Sequence, residues 1–269
     1  MAGGIAKKLR KFRRALFPTP DVHRHPEIRR SVINDLTVVE IAPETVVPVS
    51  VNTTGDDGYH RFGNDWWVKP QCPVAFNYLS IDAMYPAPYF SGSWHPSLES
   101  ATELVSYMME TFRRLAGRDL KSVLELGSGG GEITRVFNTK NLDFVAVEGT
   151  DAGVRRLAEI GIPPDSIIHA NLKFLKPLGR RFDLVMCTEV AEHIEPFFAS
   201  KIVDNCISHA DFVWFSAANR SASAHYHHIN EQPIEVWDNL FAHMGFPFFV
   251  ELDRRMGRAD RLYMRTLTP

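Results

Sequence analysis

Two groups of residues in this 269-residue chain have the types and spacing to do chemistry. The first is Glu125-Leu-Gly127-Ser128-Gly129-Gly-Gly131, which follows a short apolar run and leads into a helical pattern. Glycines at such a turn let the backbone approach a ligand closely, and the helix start offers unpaired N–H groups. The dinucleotide-binding spacing G-x-G-x-x-G would need glycine at position 132, where the chain has Glu132. An acid, Glu125, stands two residues before the first glycine, and a carboxylate there suits a ligand with a cationic amino-acid end better than a diphosphate. The plain alternative is a set of turn glycines with solvated acids.

The second group is acidic and imidazole-rich. Glu189, Glu192 and His193 are spaced i, i+3, i+4, so one turn of helix would gather them on one side. His225, His227 and His228, with Glu231 nearby, follow the next apolar run. Residues of these types activate a hydroxyl by taking its proton or by holding a divalent cation beside it, and they can equally do no more than pack.

The elements that must position these groups are legible from periodicity. Ser97 is a helix cap with Glu99 in the first turn, and the helix should run to about Ala116 with Gly117 just past its end. The strand Ser122 to Leu126 comes next, and further strands read at 144–147, 166–170, 182–188, 211–216, 248–252 and 261–267. Helical patterns fall at 152–160, 196–209 and 233–244. Alternation of this length predicts an α/β fold, a doubly wound and mostly parallel sheet of seven strands over residues 97–269. Both chemical groups then fall after the carboxyl ends of strands, where open sheets of this kind bind ligands.

Residues 21–96 read differently, as a small β-rich extension or acceptor cap. The β-branched runs Leu36 to Ile41 and 46–51 are separated by turn residues at 55–58. Ten aromatics follow between Tyr59 and Trp94, among them Trp66, Trp67, Tyr85, Tyr89 and Phe90. They either form a local core or line an acceptor pocket, where flat rings suit sugars. Residues 1–20 form a basic amphipathic segment in which Ile5, Leu9, Phe12 and Leu16 make one face, with Lys7, Lys8, Arg10, Lys11, Arg13 and Arg14 around it. It is a solvated terminal helix or a peripheral membrane contact.

In order along the chain, these features resemble the class I S-adenosylmethionine-dependent methyltransferases. Glu125 to Gly131 looks like motif I of that family, with Gly127, Ser128, Gly129 and Gly131 forming the cofactor loop. Phe144-Val-Ala-Val-Glu148-Gly149 resembles the second strand, ending in the acid that holds the ribose hydroxyls. Asn171-Leu172 stands where the family often has an acid and an apolar residue beside adenine. The segments at 182–185 and 189–194 resemble the fourth strand and its loop, and 228–246 the final helix and turn of many small-molecule members. The resemblance covers about residues 97–269 and implies a Rossmann-like methyltransferase fold with S-adenosylmethionine as cofactor.

The acid and imidazole groups also resemble the divalent-metal site of certain O-methyltransferases, including the small-RNA 3′-terminal 2′-O-methyltransferases and the ubiquinone-pathway enzymes. The resemblance implies Glu189, Glu192, His193 and His228 as ligands of Mg²⁺ or Mn²⁺. Without a metal, His193, His228 or His227 is the candidate catalytic base. The leading acceptor is a hydroxyl of a sugar, glycan or related small molecule. An RNA-terminal ribose is the alternative, and an inactive binding or scaffold protein of the same fold the third.

Charge and composition bound these readings. The formal net charge of −2 includes the six cations before residue 15, which leaves about −8 for the remainder by the same count. Such a balance argues against a nucleic-acid-binding protein. Cys72, Cys187 and Cys206 have no metal or redox spacing, and no apolar run is long enough to span a bilayer. The expected location is cytoplasmic, with the inner face of a membrane as an option for the basic terminus.

Overall fold

The structure, a computed structural model, describes residues 28–41, 53–54, 60–62, 66–68, 81–92, 94–218, 228–252 and 260–267. The basic segment 5–17, the run 46–51, the turn at 55–58, Cys72, His225 and His227 lie outside the described residues.

The chain enters with a hairpin, β1 (Ile28–Ile33) and β2 (Leu36–Ile41). Its two-residue turn, Asn34-Asp35, has both φ angles positive, at 48° and 64°. That is the twist a tight hairpin needs, and short polar residues tolerate it best. Three very short strands, β3 (Thr53–Thr54), β4 (His60–Phe62) and β5 (Trp66–Val68), form a separate antiparallel sheet. A short helix α1 (Ile81–Met84) and a 3-10 turn at Ala87–Ser91 lead to α2 (Leu98–Ala116). Ser97 caps α2 by accepting the Ser100 N–H at 3.1 Å, and Gly117 closes it in the left-handed region at φ 67°.

The rest alternates as the periodicity predicts. In order come β6 (Ser122–Leu126), α3 (Glu132–Thr139), β7 (Asp143–Glu148), α4 (Asp151–Glu159), β8 (Ile167–His169) and β9 (Leu184–Thr188). Then follow α5 (Ala199–Ile207), β10 (Phe212–Ser216), α6 (Ile234–His243), β11 (Phe248–Glu251) and β12 (Arg261–Met264). The main sheet has the order β1-β2-β11-β12-β10-β9-β6-β7-β8. Strands β8, β7, β6, β9 and β10 are parallel, and β12, β11, β2 and β1 continue the sheet antiparallel. The seven expected strands are thus β6 to β12, and the hairpin of the amino-terminal extension adds two more at their antiparallel edge.

Both faces of the central strands are covered because those strands are apolar at most positions rather than at alternate ones. Val213 and Phe215 of β10 face α5 and α6, meeting Ile202, Cys206, Trp237 and Phe241. Phe212 and Trp214 face the other way, toward α2 and α3 and their Met108, Phe112, Val136 and Phe137. Phe241 stacks on Tyr263 with centroids 3.9 Å apart, and the Tyr263 hydroxyl donates to buried Asp238 at 2.7 Å, tying α6 to β12.

From β6 the chain winds outward through β7 and β8, then returns to build β9 and β10 on the opposite side of β6. The sheet's switch point therefore lies between β6 and β9, and loops leaving their carboxyl ends diverge there to leave a crevice.

Candidate functional site

The glycine loop occupies one wall of that crevice. Gly127, Gly129 and Gly131 have φ of 80°, 54° and 86°, a region that L side chains rarely adopt. Space is as restrictive as conformation at Gly127, where an added Cβ would lie 2.5 Å from Cγ2 of Val190 on the loop after β9. Glu125 is buried at the end of β6 and accepts the Thr134 hydroxyl of α3 at 2.5 Å. Burial pushes its carboxyl up to about 8, against the opposing pull of Thr134. Glu148, ending β7, accepts the backbone N–H and hydroxyl of Thr150 at 3.0 and 2.9 Å, and the Ser128 hydroxyl at 3.3 Å. Ser128 therefore links the glycine loop to the second strand. Burial raises the Glu148 carboxyl as well, opposed by the Thr150 hydrogen bonds. Gly149 lies against the next loop, within 3.9 Å of the Asn171 Cα by the position of an added Cβ. Asn171 closes a local turn by accepting the Lys173 N–H at 3.0 Å, and buried Leu172 receives Asn205 on its carbonyl at 2.7 Å.

The opposite wall carries the acid and imidazole groups. Glu189 follows β9 at φ 56°, a strained conformation for a residue with a Cβ. Ala191–His193 is then a single 3-10 turn rather than a turn of α-helix. This alters what the sequence spacing implies. Glu189 is rotated to accept the Ser216 hydroxyl at 2.8 Å, whereas Glu192, His193 and His228 converge, each offering one ligand atom within 4.8 Å of the others. Glu189 lies outside that group of three. Glu192 is fully buried, and among the described residues its carboxyl meets no side-chain hydrogen-bond donor, only the backbone N–H groups of Glu192 itself and of Ala218. Burial, reinforced by nearby Glu189, pushes its carboxyl well above the usual range. The His193 and His228 rings meet edge to face at 4.8 Å. A fully buried carboxyl beside two imidazoles is a donor set that fits a borderline divalent cation such as Mn²⁺ better than Mg²⁺, which prefers oxygen ligands.

Residues 100–249 match a family model described as a methyltransferase domain, over more than half of the chain. The chain belongs to this methyltransferase family. The glycine cradle lies inside the matched residues. Solved structures share the fold at low identity. An amino pentose methyltransferase of calicheamicin biosynthesis from Micromonospora echinaspora is 16% identical, with 70% of this chain and 98% of that one covered and a TM-score of 0.51. Magnesium protoporphyrin IX methyltransferase from Synechocystis PCC 6803 is 13% identical over 72% of this chain and 99% of that one, again at 0.51. An S-adenosylmethionine-dependent methyltransferase from Clostridium acetobutylicum ATCC 824 is 15% identical over 46% of this chain, with a TM-score of 0.39, and the match spans 52% of its length. No curated protein matches the chain by sequence.

The methyltransferase covers its site with Ile81, Asp82 and His95, which the sequence did not single out, and with Tyr85, one of the aromatics it did. Ile81 of α1 abuts Gly149, with its Cδ1 3.0 Å from where a Cβ would sit, and Asp82 accepts the Asp151 N–H that opens α4 at 2.7 Å. The Tyr85 ring meets His193 edge on at 5.9 Å. His95 lies on the glycine loop, with Nδ1 3.4 Å from the Gly130 N–H and Nε2 3.1 Å from the Tyr89 carbonyl. Burial lowers the His95 imidazole, against the raising effect of Glu132. The segment 81–95 thus touches both walls of the crevice. The clustering of aromatics hinted at such a cap, but the specific contacts of Ile81, Asp82 and His95 arise only in three dimensions. Among the described residues, no helix is long and apolar enough to cross a membrane.

Glu125 permits a test of this methyltransferase's cradle without turnover. Its carboxyl sits at about 8 in the fold against an ordinary value of 4.5. A raised carboxyl penalises the fold progressively as pH climbs through that window, because the unfolded chain ionises first. Glu125→Gln removes the ionisation, so its advantage in melting temperature over the parent should be larger at pH 8 than at pH 4.5. Thermal melts across the window check this. An offset independent of pH would show that Glu125 does not titrate there.

Proposed function

We propose that this methyltransferase acts on oxygen, moving the methyl group of S-adenosylmethionine to a hydroxyl of a sugar, glycan or related small molecule. The observation that carries the reading is the convergence of Glu192, His193 and His228 opposite the glycine cradle. Methyl transfer from a sulfonium is an in-line displacement, so the protein has to align three atoms and manage the acceptor's proton. A nitrogen or a thiolate needs little such help. An aliphatic hydroxyl does, and carboxylate and imidazole groups facing the cofactor are the residues to give it.

The cradle's parts suit the cofactor. Gly127, Gly129 and Gly131 give the loop its left-handed turns, Glu125 suits a cationic amino end, and Glu148 and Gly149 stand at the second strand, where ribose hydroxyls would be held. Glu192, His193 and His228 would hold Mg²⁺ or Mn²⁺, which would polarise the acceptor hydroxyl and ease loss of its proton. In the metal-free form of the reading, His193 or His228 takes that proton directly. The sugar acceptor is supported by the aromatic side chains of the cap: Tyr85 beside His193, Tyr89 against both Tyr85 and His95, and Trp94 63% exposed next to them. Flat rings of this kind stack on the apolar faces of sugar rings.

Tritium from labelled S-adenosylmethionine, offered with a glycan fraction, small polyols and 3′-terminal RNA, tests the acceptor class. Label passing to base-stable ether on a sugar supports the proposal, and label on terminal ribose of RNA alone, or on nitrogen, overturns it. Chelation by EDTA separates the two forms of proton handling. Activity that stops and returns with Mg²⁺ or Mn²⁺ identifies the cation, whereas full activity in metal-free protein, with a pH–rate limb near neutrality, identifies the imidazole base.

A further inference from the structure

The residues between His228 and α6 are an unusual run for a loop. Asn230, Glu231 and Gln232 are all at least 99% buried, although each carries a polar head that costs free energy to remove from water without a partner. Their partners show what the run does. The backbone N–H groups of Ile229 and Asn230 both donate to the Glu192 carbonyl at 2.9 Å. The Asn230 side-chain amide donates to the Ala191 carbonyl at 3.2 Å, and its own oxygen accepts Gln232 at 3.0 Å. The loop after β10 is thereby stitched to the 3-10 turn that carries Glu192 and His193. The fifth contact differs in kind. Glu231, with a fully buried side chain, lies 2.9 Å from Nδ1 of His228, a ring that is 20% exposed at the edge of the crevice.

An ionised Glu231 can only accept, which places the proton of a neutral His228 ring on Nδ1 and leaves Nε2 its lone pair. We propose that Glu231 is a positioning residue that fixes His228 in the Nδ1–H tautomer and turns its Nε2 toward Glu192 and His193. The inference rests on the reading of that cluster as the place where the acceptor's proton is handled, and it serves either form of that reading. A ring held in this way offers Nε2 as a ligand for a divalent cation or as a base. Glu231 would touch neither cofactor nor acceptor.

Histidine labelled with ¹⁵N in the full chain reports the tautomer directly, since protonated and unprotonated ring nitrogens resonate far apart in long-range ¹H–¹⁵N spectra. His228, assigned by its loss in His228→Gln, should show a protonated Nδ1 and a bare Nε2 in the wild type. In Glu231→Leu the pattern should shift toward protonated Nε2. Glu231→Gln, which can still accept through its amide oxygen, should keep the wild-type tautomer and guards against a merely unfolded leucine variant. Titration with Mn²⁺ alone, followed by electron paramagnetic resonance, should show about ten- to a hundredfold weaker binding in Glu231→Leu, with S-adenosylhomocysteine affinity unchanged. A wild-type His228 protonated at Nε2, or the same tautomer in Glu231→Leu as in wild type, overturns the proposal. The expected tautomers with no Mn²⁺ bound by the wild type would support Glu231's role and remove the metal, leaving His228 as the base.

Discussion

Gly129→Val should leave a folded methyltransferase that no longer binds S-adenosylhomocysteine. Gly129 sits at φ 54° in the loop after β6, and the nearest atoms to an added Cβ belong to His95 at 3.1 Å. The fold can therefore accept a side chain by displacing one imidazole, at a cost of a few kcal/mol including the strain of a β-branched residue in the left-handed region. A ligand lying along the backbone has no such freedom, because the branched methyl groups occupy the volume it needs. Isothermal titration should show at least a hundredfold loss of affinity, while circular dichroism keeps the wild-type spectrum. Retained binding within a few-fold would place the cofactor elsewhere.

The second large effect belongs to Glu192→Gln. Glu192 is wholly buried, with nearby Glu189 adding to the effect of burial, so the parent carries an ionisable group in a place that disfavours its charge. The amide keeps the shape and drops the charge, and replacing an uncompensated buried carboxylate in this way tends to be neutral or stabilising. The melting temperature of the cation-free protein should stay level or rise. Turnover should nevertheless fall about a hundredfold or more, the penalty that misplacing reacting groups by about an ångström can carry, with S-adenosylhomocysteine affinity unchanged. A variant that is less active only because it is less stable would contradict this, as would one with wild-type turnover.

The glycine cradle was the most legible part of the site, because its requirement is local. Positive φ at three alternating positions favours glycine whatever surrounds them, and that preference is written into neighbouring letters. The acid and imidazole group was half legible. The i, i+3, i+4 spacing assumes 3.6 residues per turn, but the chain leaves β9 through a left-handed Glu189 into a 3-10 turn, which sends Glu189 toward Ser216 and brings only Glu192 and His193 forward. His228 could be named among its neighbours but not oriented, since an irregular loop has no period to read. The cap illustrates a further limit. Its aromatic content predicted a packed or ligand-lining segment, yet His95 on the glycine loop is a contact between residues 35 apart, and no pattern along the chain encodes it. In the fold, strand periodicity located β6 to β12 but was silent about which edge the extension would join.

That edge has a consequence for how the chain can be cut. β11 is flanked by β12 on one side and by β2 on the other, so residues near the beginning and the end of the chain are neighbours in one ladder. Trimming to residue 97 would strip away β2 and leave Phe248, Phe249 and Val250 with a row of bare amides and carbonyls along a hydrophobic strand. Such an exposed edge invites a second molecule to pair with it. In the intact chain that outer position is held by β1, whose Arg29 and Arg30 are exposed, and charged side chains on an outermost strand discourage pairing with copies. The hairpin covers the β11 edge of the sheet, and a shortened fragment should aggregate before it loses its secondary structure.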